Sequence, residues 1–262
     1  MARIIGIANQ KGGVGKTTTA VNLAACLGAA HRRTLLVDMD PQANATSGLG
    51  LVPSSVTTSI YDVLLGDTEL ERTFCPCQVE NLTLVPSTPQ LFGADIELLE
   101  FPDKERRLAR ALAPIADRFD YVIIDSPPAL DFLTINVLTA AQNLIIPVQC
   151  EYYALEGLTQ LVETIKRIKT WFNPRLEILG LLMTMHDGRT NLSHQVVEEV
   201  RRHFGQRVFR TQISRSVRLS EAPSYGKPII LYDFRSAGAA AYIQLCQEVT
   251  DACEAKGTRP GA

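Results

Sequence analysis

The feature that most constrains this chain is a glycine-rich stretch at residues 9–18, which reads Asn-Gln-Lys-Gly-Gly-Val-Gly-Lys-Thr-Thr. It follows an apolar run at 4–8 and leads into an apolar helical pattern at 20–27, so it predicts a turn between a buried strand and a helix. Its glycines let backbone N–H groups converge on phosphate oxygens, and Lys16 adds a full positive charge to that of the helix N-terminus. Thr17 would offer its hydroxyl to Mg²⁺. The strand–turn–helix context argues against the alternative, an ordinary glycine turn.

Two further apolar segments end in carboxylates. Residues 34–42, Thr-Leu-Leu-Val-Asp-Met-Asp-Pro-Gln, predict a short strand that ends in Asp38 and Asp40. Alternation places both aspartates on one side at the carboxyl end, where open α/β sheets bind ligands, although aspartates also end strands as turn formers or helix caps. Residues 120–128 predict a central parallel strand ending at Asp125, a candidate for the outer shell of Mg²⁺.

The composition is that of a globular protein. With 262 residues and 46% hydrophobic content, the chain can bury a large core, and we expect a single α/β domain over 1–262 with a flexible tail at 255–262. No apolar run approaches the ~18 residues of a membrane span, and the N-terminus enters a strand without a signal-peptide pattern. We therefore expect a cytoplasmic protein.

Side-chain nitrogen and sulfur do not predict a metal site. The six cysteines are scattered, and Cys75 and Cys77 are too close together for a Cys-x-x-Cys knuckle. His186, His194 and His203 are eight and nine residues apart, a spacing that does not place them as neighbours on one helix face. We expect free thiols, because a core of this size needs no disulfides.

The charges point to a local basic segment in a chain that is not basic overall. The net charge is −2, which predicts no bulk affinity for nucleic acid. Between His186 and Arg218, however, seven arginines oppose three acids. Because arginine binds phosphate well, this segment predicts weak, sequence-independent DNA binding. Arg201 and Arg202 are also explained as the solvated face of a helix.

The motif at 11–18, Lys-Gly-Gly-Val-Gly-Lys-Thr-Thr, resembles the deviant Walker A motif of the ParA/Soj/MinD ATPases. The resemblance implies that Lys11 reaches across a dimer interface to the nucleotide of a second subunit. A solvated loop lysine is the alternative for Lys11. The resemblance also implies that ATP is bound by the whole loop, namely Lys11, Gly12, Gly13, Val14, Gly15, Lys16, Thr17 and Thr18.

Two later segments extend the resemblance to the ParA/Soj group. The Asp-x-Asp-Pro-Gln motif at 38–42 implies that Asp40 orients the water that attacks the γ-phosphate, while Asp38 supports the Mg²⁺ shell or the loop. The segment at 149–157, Gln-Cys-Glu-Tyr-Tyr-Ala-Leu-Glu-Gly, matches the group closely and is expected near the dimer interface. Ordinary packing explains its tyrosines equally well.

The resemblance also assigns roles outside these motifs. It places Met183 and Pro223 beside the adenine of the nucleotide. Arg189, Arg215 and Arg218 lie in segments that are similar to those bearing the DNA-contacting basic residues of the family.

Since the resemblance covers nearly all of the chain, it implies the architecture and the activity together. The implied fold is α/β, a doubly wound, mostly parallel sheet with helices on both faces. The implied activity is slow ATP hydrolysis with Mg²⁺ by a sandwich homodimer that binds double-stranded DNA non-specifically on the nucleoid, stimulated by a ParB-type centromere-binding partner.

Three alternatives follow from the same phosphate loop. A MinD-type membrane-cycling ATPase needs a C-terminal amphipathic anchor, which the sequence does not show. A metal-cluster carrier needs cysteines paired across a dimer. A regulator that binds nucleotide and partner without meaningful hydrolysis is the third.

Overall fold

The computed structural model describes residues 2–151 and 154–257, with the backbone only at 154–156 and 256–257. Eight strands in these ranges form one sheet: β1 (Arg3–Ile7), β2 (Thr34–Asp38), β3 (Cys75–Pro76), β4 (Leu82–Val85), β5 (Tyr121–Asp125), β6 (Asn143–Gln149), β7 (Glu177–His186) and β8 (Val208–Ser214). The strand order is β3-β4-β2-β5-β1-β6-β7-β8. Every neighbouring pair is parallel except β3 and β4 at one edge.

Helices connect the strands. Those described are α1 (Lys16–Ala29), α2 (Asn44–Gly48), α3 (Ile60–Leu65), α4 (Ala94–Glu97), α5 (Arg107–Leu112), α6 (Phe132–Ala140), α7 (Ala154–Trp171), α8 (Asn191–Phe204), α9 (Val217–Glu221), α10 (Ile229–Tyr232) and α11 (Ala237–Gly257). Short 3₁₀ turns extend several of them, notably before and after α4 and α5.

The helices cover both faces of the sheet, which confirms the predicted fold class. Helices α1 and α11 pack over one face, whereas α3 to α6 cover half of the opposite face and α7 and α8 cover the other half. Side chains of β5 alternate between these layers, with Ile123 facing α1 and both Val122 and Ile124 facing α6. This two-sided burial explains why the central strands read as continuous apolar runs.

The parallel arrangement brings the carboxyl ends of three central strands, β1, β2 and β5, together on the same side of the sheet. In the register of β5, Asp125 pairs with Ile7 of β1 on one side and with Asp38 of β2 on the other. The loops that follow these strands therefore meet above their carboxyl ends. Strand order, more than any local propensity, builds the site described below.

The small polar segment at 43–50 contains α2. At the C-terminus, helix α11 runs to Gly257, into the tail expected at 255–262, while residues 258–262 lie outside the described range. No helix in the described part of the chain is long and apolar enough to cross a membrane.

Candidate nucleotide-binding site

The glycine-rich loop turns sharply between β1 and α1. Gly13 and Gly15 have φ angles of 74° and 87°, in the left-handed region that side-chain-bearing residues rarely adopt. The loop is fastened to β7 by the Thr184 hydroxyl, which donates to the carbonyl of Val14 at 2.9 Å. The loop N–H groups thus lie ahead of the α1 N-terminus, an arrangement that binds phosphate.

Lys16, the first residue of α1, is buried beneath this loop. Its Nζ donates to the carbonyl of Lys11 at 3.0 Å. Burial lowers the pKa of Lys16, and the nearby carboxylates of Asp125 and Asp40 oppose that decrease. The ammonium group is therefore held in a desolvated position that an anionic ligand would stabilise.

Asp38 is fully buried at the end of β2, and its carboxylate serves the loop that follows. It accepts hydrogen bonds from the N–H of Thr46 at 2.8 Å, the Thr46 hydroxyl at 2.7 Å and the N–H of Asp40 at 3.1 Å. Burial raises the pKa of Asp38 to about 6 against these bonds. Of the two predicted roles, loop support is the one its contacts display; the metal role stays a prediction.

Asp40 follows the strand and lines the cavity in front of the phosphate loop. Its Oδ1 accepts from the N–H of Gln42 at 2.9 Å, and its carbonyl accepts from the Ser87 hydroxyl at 2.7 Å. The cavity, of about 310 Å³, is also lined by loop residues including Lys16 and Thr17. Burial raises the pKa of Asp40, while Gln42 and Lys16 counteract the rise. Its carboxylate is therefore held by the backbone at the wall of the cavity in front of the phosphate loop.

Asp125 differs from Asp38 and Asp40 in its hydrogen bonding. It is fully buried, and neither carboxylate oxygen has a hydrogen-bond partner in the described residues. Burial, then the charge of Asp38, raises its pKa well above the ordinary value; Thr17 opposes the rise without reaching hydrogen-bond geometry. Two orphaned oxygens beside a hydroxyl fit a divalent cation and its waters. No cluster of three or more metal-ligating side chains occurs in the described ranges, as suits Mg²⁺, which takes other ligands from phosphate and water.

Lys11 is held within its own subunit. Its Nζ forms an ion pair with Glu151 Oε2 at 2.8 Å, and both side chains are about half exposed. Gln149 donates to the other oxygen of the same carboxylate. The Glu151 end of the predicted interface segment therefore contacts the phosphate loop, whereas Tyr152 and Tyr153 lie outside the described residues.

A second cavity, of about 330 Å³, extends from the loop and contains Thr18, Thr184, Met185 and Pro223 in its lining. Pro223, one of the two residues predicted beside the adenine, is among these lining residues. Met183, the other, does not line the cavity, because it is fully buried in the core beneath α7 and α8. Side chains alternate along β7, so Thr184 faces the loop while Met183 faces away from it. Met185 has a φ of 51°, which breaks this alternation, and its side chain also lines the cavity.

The three arginines predicted to contact DNA are not equally free. Arg189 pairs with Asp187 at 2.8 Å, and Arg218 pairs with Glu221 at 3.1 Å. Arg215 lines the second cavity. Hydrogen bonds from Arg189, with a smaller effect of the charge of Arg215, lower the pKa of Asp187. Arg189 is therefore held by Asp187, and Arg218 has its own acidic partners, the second being Asp233.

The contacts made by Ser87, Thr46 and Thr184 were missed by sequence reasoning. Each hydroxyl reaches a site residue or loop carbonyl through space, across 8 to 170 residues of chain. A single serine or threonine carries no signal of such a contact in a sequence. Alternation along β7 would put Met183 and Met185 on the same face, so it does not distinguish them; the positive φ of Met185 does.

Structural comparison agrees with this geometry. Cobyrinic acid a,c-diamide synthase from Mycobacterium smegmatis, crystallised with ADP and magnesium, superposes with a TM-score of 0.87 at 37% identity, covering 100% of this chain and 99% of that one. MinD from Pyrococcus horikoshii, complexed with Mg-ADP, has a TM-score of 0.79 at 26% identity over 99% of this chain and 100% of that one. The fold and the site define a P-loop nucleotide-binding protein of the ParA/MinD type.

Sequence comparison narrows the assignment. A family profile described as "AAA domain" matches residues 2–178. The chain belongs to the ParA/Soj family of chromosome partitioning proteins. The chromosome partitioning protein ParA of Myxococcus xanthus is 55% identical over 95% of this chain and 88% of its own length. The sporulation initiation inhibitor protein Soj of Bacillus subtilis is also 55% identical, over 95% of this chain and 98% of its own length.

Proposed function

We propose that the protein is a DNA-segregation ATPase whose ATP-bound homodimer binds DNA without sequence preference and is reset by hydrolysis. The observation that carries the proposal is the convergence of the buried Lys16, Asp40 and Asp125 beside one phosphate loop. The names of relatives with 55% identity, which describe chromosome partitioning, support the segregation role.

In this proposal the phosphate loop binds the triphosphate through its N–H groups and Lys16. The adenine lies in the second cavity, against Pro223 and Met185. Thr17 and Asp125 would hold Mg²⁺, which neutralises charge on the β- and γ-phosphates when bound. Solved relatives with bound ADP and magnesium support both assignments.

Hydrolysis requires a positioned water molecule. Asp40 orients it, since phosphoryl transfer has a loose transition state and needs a positioned carboxylate more than a strong base. The motifs at 9–18, 38–42 and 120–128 contain no arginine that could stabilise the transferring phosphoryl group. Turnover is therefore slow alone and rises when a ParB-type partner binds.

Dimerisation connects the nucleotide to DNA. Lys11 leaves Glu151 and crosses to the phosphates of the second subunit, which makes the paired state depend on ATP. Two subunits together roughly double the number of arginine–phosphate contacts, and each contact steepens the salt dependence of log K by about 0.9. Loss of the γ-phosphate weakens the interface and releases DNA.

The test is DNA binding against salt concentration with ATP, ADP and no nucleotide. We expect tight binding only with ATP, and a steeper salt slope for the ATP state than for either control. Arg189→Ala and Arg215→Ala should each reduce that slope by about two, because the homodimer loses one phosphate contact in each subunit. Equal slopes and affinities in all three nucleotide states would refute the proposal.

A further inference from the structure

The helical stretch at 89–100 has two apolar faces. Leu91, Ala94 and Leu98 point inwards and are fully buried in the core against the sheet. Phe92, Ile96 and Leu99 point outwards and are 66%, 74% and 53% exposed. Their i, i+4, i+7 spacing places these three side chains in one row on the helix surface. We call this row the apolar stripe.

Isolated exposed apolar side chains are common, but a row of three large ones is not. The stretch that carries the stripe is continuous helix, built from a 3₁₀ turn, α4 and a second 3₁₀ turn. Its inward face is anchored in the core, so the outward face is presented rigidly. Such a row, at the spacing of helix-in-groove anchors, marks an interaction surface.

The acidic side chains around the apolar stripe indicate the chemistry of the partner. Residues 89–103 contain four acids and no lysine or arginine. Asp103 is bound by Arg110. Glu97, which accepts a hydrogen bond from the Tyr61 hydroxyl at 2.7 Å, and Glu100 are exposed directly beside Ile96 and Leu99. An acidic rim around apolar anchors complements a helix that carries lysine or arginine beside its own apolar residues. The same rim disfavours an anionic membrane surface.

The stretch is connected to the nucleotide site at its start. Ser87, just before it, donates its hydroxyl to the Asp40 carbonyl at 2.7 Å. The N–H of Ser87 donates at 2.9 Å to the Thr46 hydroxyl, which in turn bonds to Asp38. A displacement of the stretch would therefore move the loop that carries Asp40.

The stretch is also connected to the site through its middle. Asp95, which lies between the stripe residues, faces the N–H groups of Phe132 and Leu133 at the start of α6. Helix α6 follows the loop after Asp125. The helical stretch that bears the apolar stripe is thus linked to the Asp40 loop through Ser87, just before it, and packs against α6, the element that follows the Asp125 loop.

We propose that the apolar stripe is the docking surface for a basic amphipathic helix of the partner protein, and that docking there accelerates ATP hydrolysis through Ser87 and Asp40. The inference rests on the proposed function, because its occupant is the stimulating ParB-type partner. It adds where that partner binds and which chemistry the binding helix carries.

The test uses Ile96→Glu and Glu100→Lys in the full chain, with Trp171→Ser as the matched control. Trp171 is as exposed as Ile96, at 74%, but lies at the end of α7 on the other half of the sheet. Phosphate release is measured against increasing concentrations of the cognate ParB-type protein, and ATP-dependent dimerisation by light scattering. Circular dichroism melting checks that each variant is folded.

We expect Ile96→Glu to weaken the apparent affinity for the partner by about tenfold or more, as for a central anchor residue, with unchanged basal hydrolysis and dimerisation. Glu100→Lys should weaken it by a smaller factor, and Trp171→Ser should match the wild type. Wild-type stimulation of Ile96→Glu would overturn the inference. Loss of ATP-dependent dimerisation in Ile96→Glu would also overturn it, because the stripe would then serve self-association.

A second measurement separates this inference from the proposed function. A synthetic helical peptide with leucines at i, i+4 and i+7 and flanking lysines is titrated by fluorescence anisotropy, alongside a version with glutamates in place of the lysines. Should the ParB-type protein fail to stimulate the wild type, the partner assignment fails. The stripe assignment would still be supported if the basic peptide bound the wild type but not Ile96→Glu, and if the acidic peptide bound neither. If the basic peptide did not bind the wild type, the assignment would be overturned.

Discussion

At the scale of single residues, side chains of the same type differ in their burial and in their contacts. Asp38 and Asp40 are two positions apart, yet three hydrogen bonds from Thr46 and Asp40 occupy the Asp38 carboxylate, whereas that of Asp40 accepts one and faces the loop cavity. The two lysines of the loop also differ. Lys16 is buried under its own loop, and Lys11 is tied to Glu151 at the surface. Burial and the number of hydrogen bonds therefore distinguish Asp38 from Asp40 and Lys16 from Lys11, although the residue types are the same.

Replacing Asp40 with alanine is expected to reduce single-turnover phosphate release by about 100-fold and to leave ATP binding intact, because the water loses its orienting carboxylate. Asp38→Asn is the contrasting variant. Its amide would face the donors of Thr46, so its free energy of unfolding should decrease by about 1–3 kcal/mol. Normal hydrolysis by Asp40→Ala would contradict the assignment.

Replacing Glu151 with glutamine is expected to promote ATP-dependent dimerisation, because Lys11 no longer has to leave a carboxylate. The half-exposed ion pair contributes less than about 1 kcal/mol in each subunit, and a dimer breaks two of them, so the dimerisation midpoint should shift by at most about 30-fold in protein concentration. Light scattering with a non-hydrolysable ATP analogue measures it. Glu163→Gln, which removes the exposed pair with Lys166, is the control. A weaker dimer in Glu151→Gln would show that the carboxylate assists the interface instead.

At the scale of elements, close packing fixes how the second half of the sheet is assembled. Gly180 in β7 lies under the ring of Phe209 in β8, and a Cβ at this position would be 2.4 Å from that ring. Phe209 is itself buried in the core. The glycine is therefore required by tertiary packing, not by its backbone angles.

Gly180→Ala is expected to lower the free energy of unfolding by about 1–3 kcal/mol, because the Phe209 ring must shift within a filled core. Gly157→Ala is the matched control in α7, where a Cβ would meet no atom of the described residues within 4 Å. That substitution should be neutral or stabilise by up to about 1 kcal/mol, the helix preference for alanine. Urea unfolding midpoints at constant m-value distinguish the two, and equal midpoints would contradict the packing argument.

At the scale of the whole molecule, burial on both faces of one sheet governs reactivity as well as stability. The six cysteines are thiols, as predicted, and four are buried. Burial raises the pKa of Cys26 and Cys77 to about 12 and that of Cys150 and Cys246 to about 11. At pH 8 such thiols are less than roughly 0.1% thiolate, the reactive form.

We therefore expect a disulfide-exchange reagent to modify at most one thiol rapidly in the native protein at pH 8, and all six in denaturant. Cys75, partly exposed and with a smaller pKa increase, should react first. Cys75→Ser should abolish the rapid phase. Rapid labelling of several native thiols, or fewer than six in denaturant, would contradict the core described here.

The sequence by itself determined the phosphate loop and the strands ending at Asp38 and Asp125, while the doubly wound fold came from the family resemblance. These features are local: glycines at fixed spacing, apolar runs, and carboxylates at strand ends. Each follows from what one segment can adopt on its own. Pro223 was reached through family resemblance, and the structure places it in the second cavity.

Only the tertiary structure decided how these segments contact one another. It paired Lys11 with Glu151 across 140 residues, tied Asp40 to Ser87, replaced Met183 with Met185 at the cavity, and gave Arg189 and Arg218 acidic partners. Hydrogen bonds and ion pairs act over about 3 Å in space, whatever the separation along the chain. The order in which strands pair brings those atoms together, and no local pattern records it.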